Sequence, residues 1–236
     1  NDLTSLRLCA GGGSPLPVDV SKRFKELYGH HIAQFWGLTE ITAHITVQAV
    51  DGSGIPGSIG KPLRGCEVEV VDDTGRLLPS NRTGELICRG PLMKGYYNNP
   101  AATAEVLKNG WLYTGDTGHI DFSGNIFITG RKKDLIIPKG QNISPQDIES
   151  ALLQHPGVAE VAVLGVPDDP RGEVIVAVIR LKDGHTAAES EMKRLCLDNL
   201  ANFKIPKEFR FVDFPLVSAN GVVDKEALRS RLGLPT

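Results

Sequence analysis

Cysteine, tryptophan and methionine are all scarce: four, two and two among 236 residues. The cysteines, Cys9, Cys66, Cys88 and Cys196, stand far apart, with no C-x-x-C pair and no histidine at ligand spacing. That pattern argues against a zinc site or a disulfide framework and suits a reducing, cytoplasmic setting. No apolar run approaches the roughly 18 residues of a membrane span, so no transmembrane segment is expected. Nor is charge of one sign in excess, since 26 basic residues meet 28 acidic ones for a net charge of −2. A nucleic-acid binder needs a phosphate-neutralising basic surface, so nucleic acid is not an expected partner. Two nucleotide and nucleophile signatures are also missing: G-x-x-x-x-G-K-[ST] and G-x-S-x-G.

What is present is globular. Hydrophobic residues make up 41% and charged residues 23%, enough for a sizeable core. The chain opens Asn1-Asp2-Leu3, without a charged, apolar leader. Leu3 to Ala10 read as a short buried strand, and a strand so apolar needs neighbours on both sides. The expectation is a C-terminal portion of something longer, lacking an N-terminal part. Val18 to Tyr28 follow with helical spacing, Val20, Phe24 and Leu27 sharing a face and Gly29 placed as a C-cap. Gly52 to Thr129 form short alternating runs between turn clusters, the texture of a small distorted β-barrel. One helix interrupts it after Pro100.

Beyond Gly130-Arg131-Lys132-Lys133-Asp134 the texture alternates between α and β. Ser144-Pro145 starts a helix running to about Gln154, and Val158 to Val166 and Glu173 to Leu181 read as strands. Thr186 is placed as the cap of a further helix, Glu208 to Val212 as a strand and Asp224 to Leu232 as a final helix. The fold class is therefore α/β plus α+β, in several domains. Residues 1–130 would be the tail of a large domain, with the barrel at about 52–129, and 131–236 a small α+β domain.

Each candidate motif has a plain structural reading. Gly52-Ser53-Gly54-Ile55-Pro56-Gly57 matches G-x-G-x-x-G, but no helix follows to hold pyrophosphate, and a mobile loop is the better reading. Gly11-Gly12-Gly13-Ser14-Pro15 is a glycine turn that lets backbone approach a flat ligand, or simply a tight turn. Thr39-Glu40, a hydroxyl beside a carboxylate, suits a hard cation on phosphate oxygens, and Trp36 offers an aromatic face. Asp116 can accept from both hydroxyls of a ribose, or cap its own turn. Gly130 to Asp134 can clamp an anion, or be a solvated charge run. His30, His31 and His155 have no partner at catalytic spacing.

The order and spacing of these motifs carry more than any one alone. G-G-G-S-P-L-P, Q-F-W-G-L-T-E, G-E-L-I-C-R-G-P-L-M-K-G-Y, W-L-Y-T-G-D and G-R-K-K-D together resemble the adenylate-forming superfamily: acyl-CoA synthetases, peptide-synthetase adenylation domains and luciferases. K-G-Y-Y-N-N-P-A-A-T and K-K-D-L-I-I-P-K-G-Q-N-I-S-P look most like fatty-acid and other acyl-CoA ligases. The resemblance implies an acid–thiol ligase using ATP, Mg²⁺ and coenzyme A on a long- or medium-chain fatty acid or related carboxylic acid. It implies that Gly12, Gly13, Ser14, Trp36 and Gly37 surround the nucleotide, with Thr39 on phosphate and Glu40 on Mg²⁺. Asp116 would take the ribose, assisted by Arg131. Lys133 would be the hinge of a mobile C-terminal domain, and Lys139, Gly140 and Gln141 would serve the thioester step.

Two departures stand out. The family's phosphate loop would lie upstream of Asn1, so the piece is expected to be inactive alone. The family's late N-G-K is here Asn220-Gly221-Val222, and Lys225 comes three residues late. Losing such a donor costs on the order of 10²–10³ in rate. Two alternatives follow: an acyl-AMP ligase serving a carrier protein, and a degenerate nucleotide- or CoA-binding homologue. The partners implied are small molecules and the missing N-terminal part, with a homodimer left open.

Overall fold

The computed structural model describes residues 3, 5–13, 16–138, 140–168, 172–218 and 223–235. Two compact units divide the chain, Asn1–Lys132 and Lys133–Thr236.

The first unit begins with β1 (Cys9–Gly11), α1 (Val18–Tyr28), β2 (Ile32–Trp36), β3 (Thr46–Val47) and β4 (Lys61–Pro62). β1 pairs parallel with β2, with α1 as the crossover, and β2, β3 and β4 continue antiparallel. α1 ends where Gly29, at φ 71°, returns its N–H to the Lys25 carbonyl. The expected strand from Leu3 to Ala10 is shorter than its apolar pattern suggested. β2 offers partners only to Cys9, Ala10 and Gly11, and without a ladder Leu6 and Leu8 stay 41% and 52% exposed. The Val20–Phe24–Leu27 face of α1 is present, but no residue of that helix is buried.

A curled sheet follows: β5 (Glu67–Val71), β6 (Gly84–Arg89), α2 (Pro100–Val106), β7 (Leu107–Lys108), β8 (Trp111–Ile120) and β9 (Ile126–Arg131). Its order is β5-β6-β8-β7, with β9 also pairing β8. Alternate residues point inward. Val68, Val70, Leu86, Cys88, Leu112 and Ile126 form one core with Trp36, Ile41, Ile45 and Ile59. Turn chemistry is local. The Asp121 carboxylate accepts from the amides of Ser123 and Asn125 between β8 and β9, and Asn99 caps α2 through the Ala102 amide. The Gly52–Gly57 segment is indeed a run of turns with no helix after it. Gln48 pins it by donating to the carbonyls of Ile55 and Ser58.

The second unit contains α3 (Pro145–Leu152), β10 (Val158–Pro167), β11 (Glu173–Leu181), α4 (Glu189–Asn199), β12 (Glu208–Val212) and α5 (Lys225–Arg231). β10 and β11 are antiparallel; β11 and β12 are parallel, with α4 crossing between them. β11 is central and covered on both faces. Ile175, Ala177 and Ile179 pack with Ile148, Leu152, Met192 and Cys196, while Val176 and Val178 pack with Leu216, Leu228 and Leu234. Burial on both faces accounts for the unbroken apolar run from Val174 to Ile179. The α4 cap is corrected: it is Ala188, not Thr186, because the Glu191 carboxylate reaches back to the Ala188 amide at 2.7 Å. α3 stops at Leu152, two residues short of expectation, and the chain turns through Gln154 and His155. No helix among the described residues is long and apolar enough to cross a membrane. All four cysteines are free, and burial pushes the Cys88 thiol up to about 12, leaving it inert.

Candidate active site

A bulge in β8 aims the first residue of the site. The β6–β8 register runs from Glu85 opposite Thr117 to Ile87 opposite Tyr113, so Thr114, Gly115 and Asp116 face Leu86 alone. Thr114 Oγ1 donates to the Leu86 carbonyl at 2.7 Å and accepts the Asp116 amide at 3.1 Å. Glu85 Oε1 accepts the Gly115 amide at 3.2 Å. The result turns Asp116 inward, where it is only 5% exposed. Asp116 Oδ2 accepts from Trp36 Nε1 at 2.9 Å, and its Oδ1 lies 2.8 Å from Arg131 Nε, directly across the β8–β9 ladder.

Burial pushes the Asp116 carboxyl above its ordinary value, while Arg131 and then Trp36 pull it part of the way back. A buried charge needs such partners. Arg131 keeps about half its side chain exposed, at 47%. Neighbouring Lys132 is anchored too, 3.0 Å from both Glu85 and Asp73. Burial works against its charge, but the two carboxylates outweigh that and hold the ammonium above its usual range. The Arg131–Lys132 stretch is thus tied to the sheet rather than loosely solvated.

Trp36 ends β2 and is itself 8% exposed, within the core. Its contribution to the cluster is the indole N–H. The backbone then passes so close to itself that a Cβ on Gly37 would sit 1.5 Å from the Ala43 oxygen. Thr39–Ile41 form a short 3-10 turn, followed by Thr42 and Ala43 at φ 61° and 72°. Two successive left-handed non-glycine residues store strain beside Thr39 and Glu40. Thr39 is exposed and Glu40 half-buried. Glu40 Oε1 accepts from the Tyr96 hydroxyl at 2.8 Å, and the Glu40 carbonyl accepts the Met93 amide at 2.7 Å. That hydroxyl contact raises the Tyr96 phenol above its ordinary value.

The structure therefore gathers Trp36, Asp116 and Arg131 into one cluster, and Glu40 with Tyr96 into another. Gly12 packs so tightly on Phe35 that a Cβ would lie 2.2 Å from the ring, while Gly13, at φ 84°, faces open space. Ser14, Lys139 and Val222 lie outside the described residues. In the second unit Lys133 is exposed in the 3-10 turn Lys132–Asp134, and Gly140, at φ 79°, and Gln141 form an exposed turn. Lys225 Nζ stands 4.0 Å from Asp134 and also bears on Glu149, whose carboxyl burial raises and Lys225 lowers. Among the described residues no three His, Cys, Asp or Glu side chains gather as a metal site. Sequence reasoning missed Tyr96, Glu85 and Thr114, and offered Lys132 only as part of the Gly130–Asp134 charged stretch. Tyr96 lay inside a quoted motif, but only the fold joins it to Glu40.

Comparison with known proteins decides the family. The profile of the AMP-binding enzyme matches residues 1–97, and that of the AMP-binding enzyme C-terminal domain matches 147–221. The chain belongs to the adenylate-forming, AMP-binding enzymes. The long-chain-fatty-acid–CoA ligase of Bacillus subtilis is 40% identical over 212 residues, covering 89% of this chain and 38% of that protein. The ATP-bound structure of MatB from Rhodopseudomonas palustris superposes with a TM-score of 0.89 at 37% identity, covering 95% of this chain and 45% of that one. The o-succinylbenzoate-CoA synthetase MenE of Bacillus subtilis, solved with its acyl-adenylate intermediate, gives a TM-score of 0.88 at 35% identity, covering 96% and 46%. This AMP-binding chain thus spans less than half the length of each. The mixed α/β architecture with its curled sheet agrees with the fold expected of the family.

Proposed function

We propose that the protein to which this chain belongs is an ATP-dependent acyl-CoA ligase acting on a long- or medium-chain fatty acid or a related carboxylic acid. In the first half-reaction a carboxylate oxygen bonds to the α-phosphorus of ATP as the bond to pyrophosphate breaks. In the second, the CoA sulfur bonds to the acyl carbon, AMP leaves and the thiol proton is lost.

The observation that carries this reading is the buried Asp116, held between Trp36 and Arg131; by its motif it would take the ribose. A fixed carboxylate can accept from two vicinal hydroxyls without reorganising, and positioning of this kind is the main resource of phosphoryl-transfer sites. Glu40 fits Mg²⁺: a half-buried carboxylate has one oxygen fixed by Tyr96, and hard-cation sites of this type use few carboxylates plus phosphate oxygens. When bound, Mg²⁺ would offset charge on the transferring phosphate. Thr39 would contact phosphate, Gly12, Gly13 and Gly37 would border the nucleotide, and Lys133 would serve as the hinge between residues 1–130 and 131–236. Gly140 and Gln141, with Lys139, would serve CoA. The similarity to a long-chain-fatty-acid–CoA ligase supports the substrate class. We take the working protein to be cytoplasmic and to include sequence upstream of Asn1, the 236-residue piece alone being inactive.

Val222 favours a second reading, a homologue that binds nucleotide or CoA with little turnover. Lys225, three residues later, stands 4.0 Å from Asp134 and bears on Glu149. The deciding assay measures AMP and pyrophosphate release by the full-length protein across acids of graded length, with and without CoA. CoA-dependent release on one length class supports the ligase. CoA-indifferent adenylate formation points to a carrier-protein acceptor, and no release with any acid leaves the binding role.

A further inference from the structure

Glu173 opens β11, and Gly172 before it bridges to Pro138. The Glu173 carboxylate accepts the backbone N–H of Ile137 at 2.6 Å through Oε2. Such a charge-assisted bond is about twice as strong as a neutral one. Ile137 begins the turn enclosed by Ile136 and Ile143, whose backbones exchange two hydrogen bonds of 2.9 Å and whose side chains are fully buried. Gln141 closes the turn by donating its N–H to the Pro138 carbonyl at 3.1 Å. The base of the turn is therefore held by the buried Ile136–Ile143 pair, and its Ile137–Pro138 limb by the Glu173 carboxylate and the Gly172 bridge.

The route of that carboxylate is built into β10. Glu173 opposes Pro167 and Ile175 opposes Gly165, so the side chain crosses diagonally to reach Ile137. A Cβ on Gly165 would lie 2.7 Å from Glu173 Oε1 and 2.8 Å from Ile136 Cγ2. Gly165 is not among the glycines at positive φ, so its backbone does not require glycine. Room for Glu173 and Ile136 does.

We propose that Glu173 is a positioning residue for thioester formation: it fixes the turn carrying Gly140 and Gln141, and Gly165 keeps its path clear. The role rests on the ligase reading above. Glu173 touches neither substrate nor reacting atoms; it acts through the Ile137 amide.

The test uses the full-length protein, a synthetic dodecanoyl-adenylate and CoA. Acyl-CoA formation, the ATP Kd and deuterium exchange at the Ile137 amide are measured for wild type, Glu173→Ala, Glu173→Gln and Gly165→Ala. Misplacing a reacting surface by about 1 Å can cost on the order of 100-fold, so Glu173→Ala and Gly165→Ala should lower kcat for acyl-CoA by about 10–100-fold. Their ATP Kd should not change. Glu173→Gln retains an acceptor oxygen and should stay near wild type. Equal kcat in Glu173→Ala and wild type, or equal losses in kcat and ATP binding, overturns the proposal. If wild type itself makes no acyl-CoA, the ligase reading fails. Amide exchange still decides the clamp in that case, and unchanged Ile137 exchange in Glu173→Ala overturns it.

Discussion

The indole N–H of Trp36 donates to Asp116 Oδ2 at 2.9 Å, joining residues 80 positions apart in a place almost closed to water. Trp36→Phe keeps an aromatic ring but removes the donor. Leaving a buried carboxylate short of a partner costs about 1–3 kcal/mol. Chemical denaturation should show that loss, and ATP should bind about tenfold more weakly if about 1.4 kcal/mol of it falls on binding. Unchanged ATP affinity would detach Asp116 from the nucleotide.

Glu40 and Tyr96 separate metal holding from metal orientation. Glu40→Gln removes the charge and should raise the Mg²⁺ requirement for pyrophosphate release by about tenfold or more. Tyr96→Phe removes only the hydroxyl on Oε1, worth about 1 kcal/mol, and should raise it a few-fold. A Mg²⁺ titration in which the two variants match wild type would take Glu40 out of the cation site.

Val222→Lys, in the full-length protein, is expected to speed adenylation by about 10²–10³, the size of a transition-state donor, with acyl-CoA formation from preformed adenylate unchanged. No gain in pyrophosphate release would mean that the missing lysine is not what limits the chain.

Lys225 offers a pH-dependent test inside the second unit. Burial raises the Glu149 carboxyl, Lys225 lowers it, the Val163 amide at 2.9 Å lowers it further, and Asp134 raises it. A carboxylate raised on folding contributes stability below its ordinary value of 4.5 and loses it as pH climbs through the raised value. Lys225→Met removes the main opposing charge, so the loss should deepen at neutral pH and shrink on acidification. Melting curves at pH 5 and pH 7 should show a larger deficit at pH 7, up to about 1 kcal/mol for a partly exposed pair. Equal deficits would mean that Lys225 acts by packing alone.

Much of this protein was legible in order and spacing. Alternation located the barrel strands, Pro100 announced the helix that interrupts them, and the run from Glu173 to Leu181 marked a strand. The order and spacing of the motif series alone point to the adenylate-forming family. These signals are local, or repeat along the chain, and need no partner to be read. Others depended on partners that a linear pattern cannot supply. Leu6 and Leu8 are apolar enough for a strand, yet β2 pairs only with the three residues beyond them. Thr186 looked like a cap, but Glu191 reached the Ala188 amide first.

The sequence by itself determined which chemistry-bearing residues exist and about where most secondary elements lie, because side-chain period and turn propensity are properties of neighbours in the chain. Only the tertiary structure decided that a bulge would turn Asp116 toward Trp36 and Arg131, that Tyr96 would hold Glu40, and that Gly165 would open a path from Glu173 to Ile137. The reason is physical: a buried carboxylate must find its donors in space, and those donors come from whichever strand the packing brings within about 3 Å.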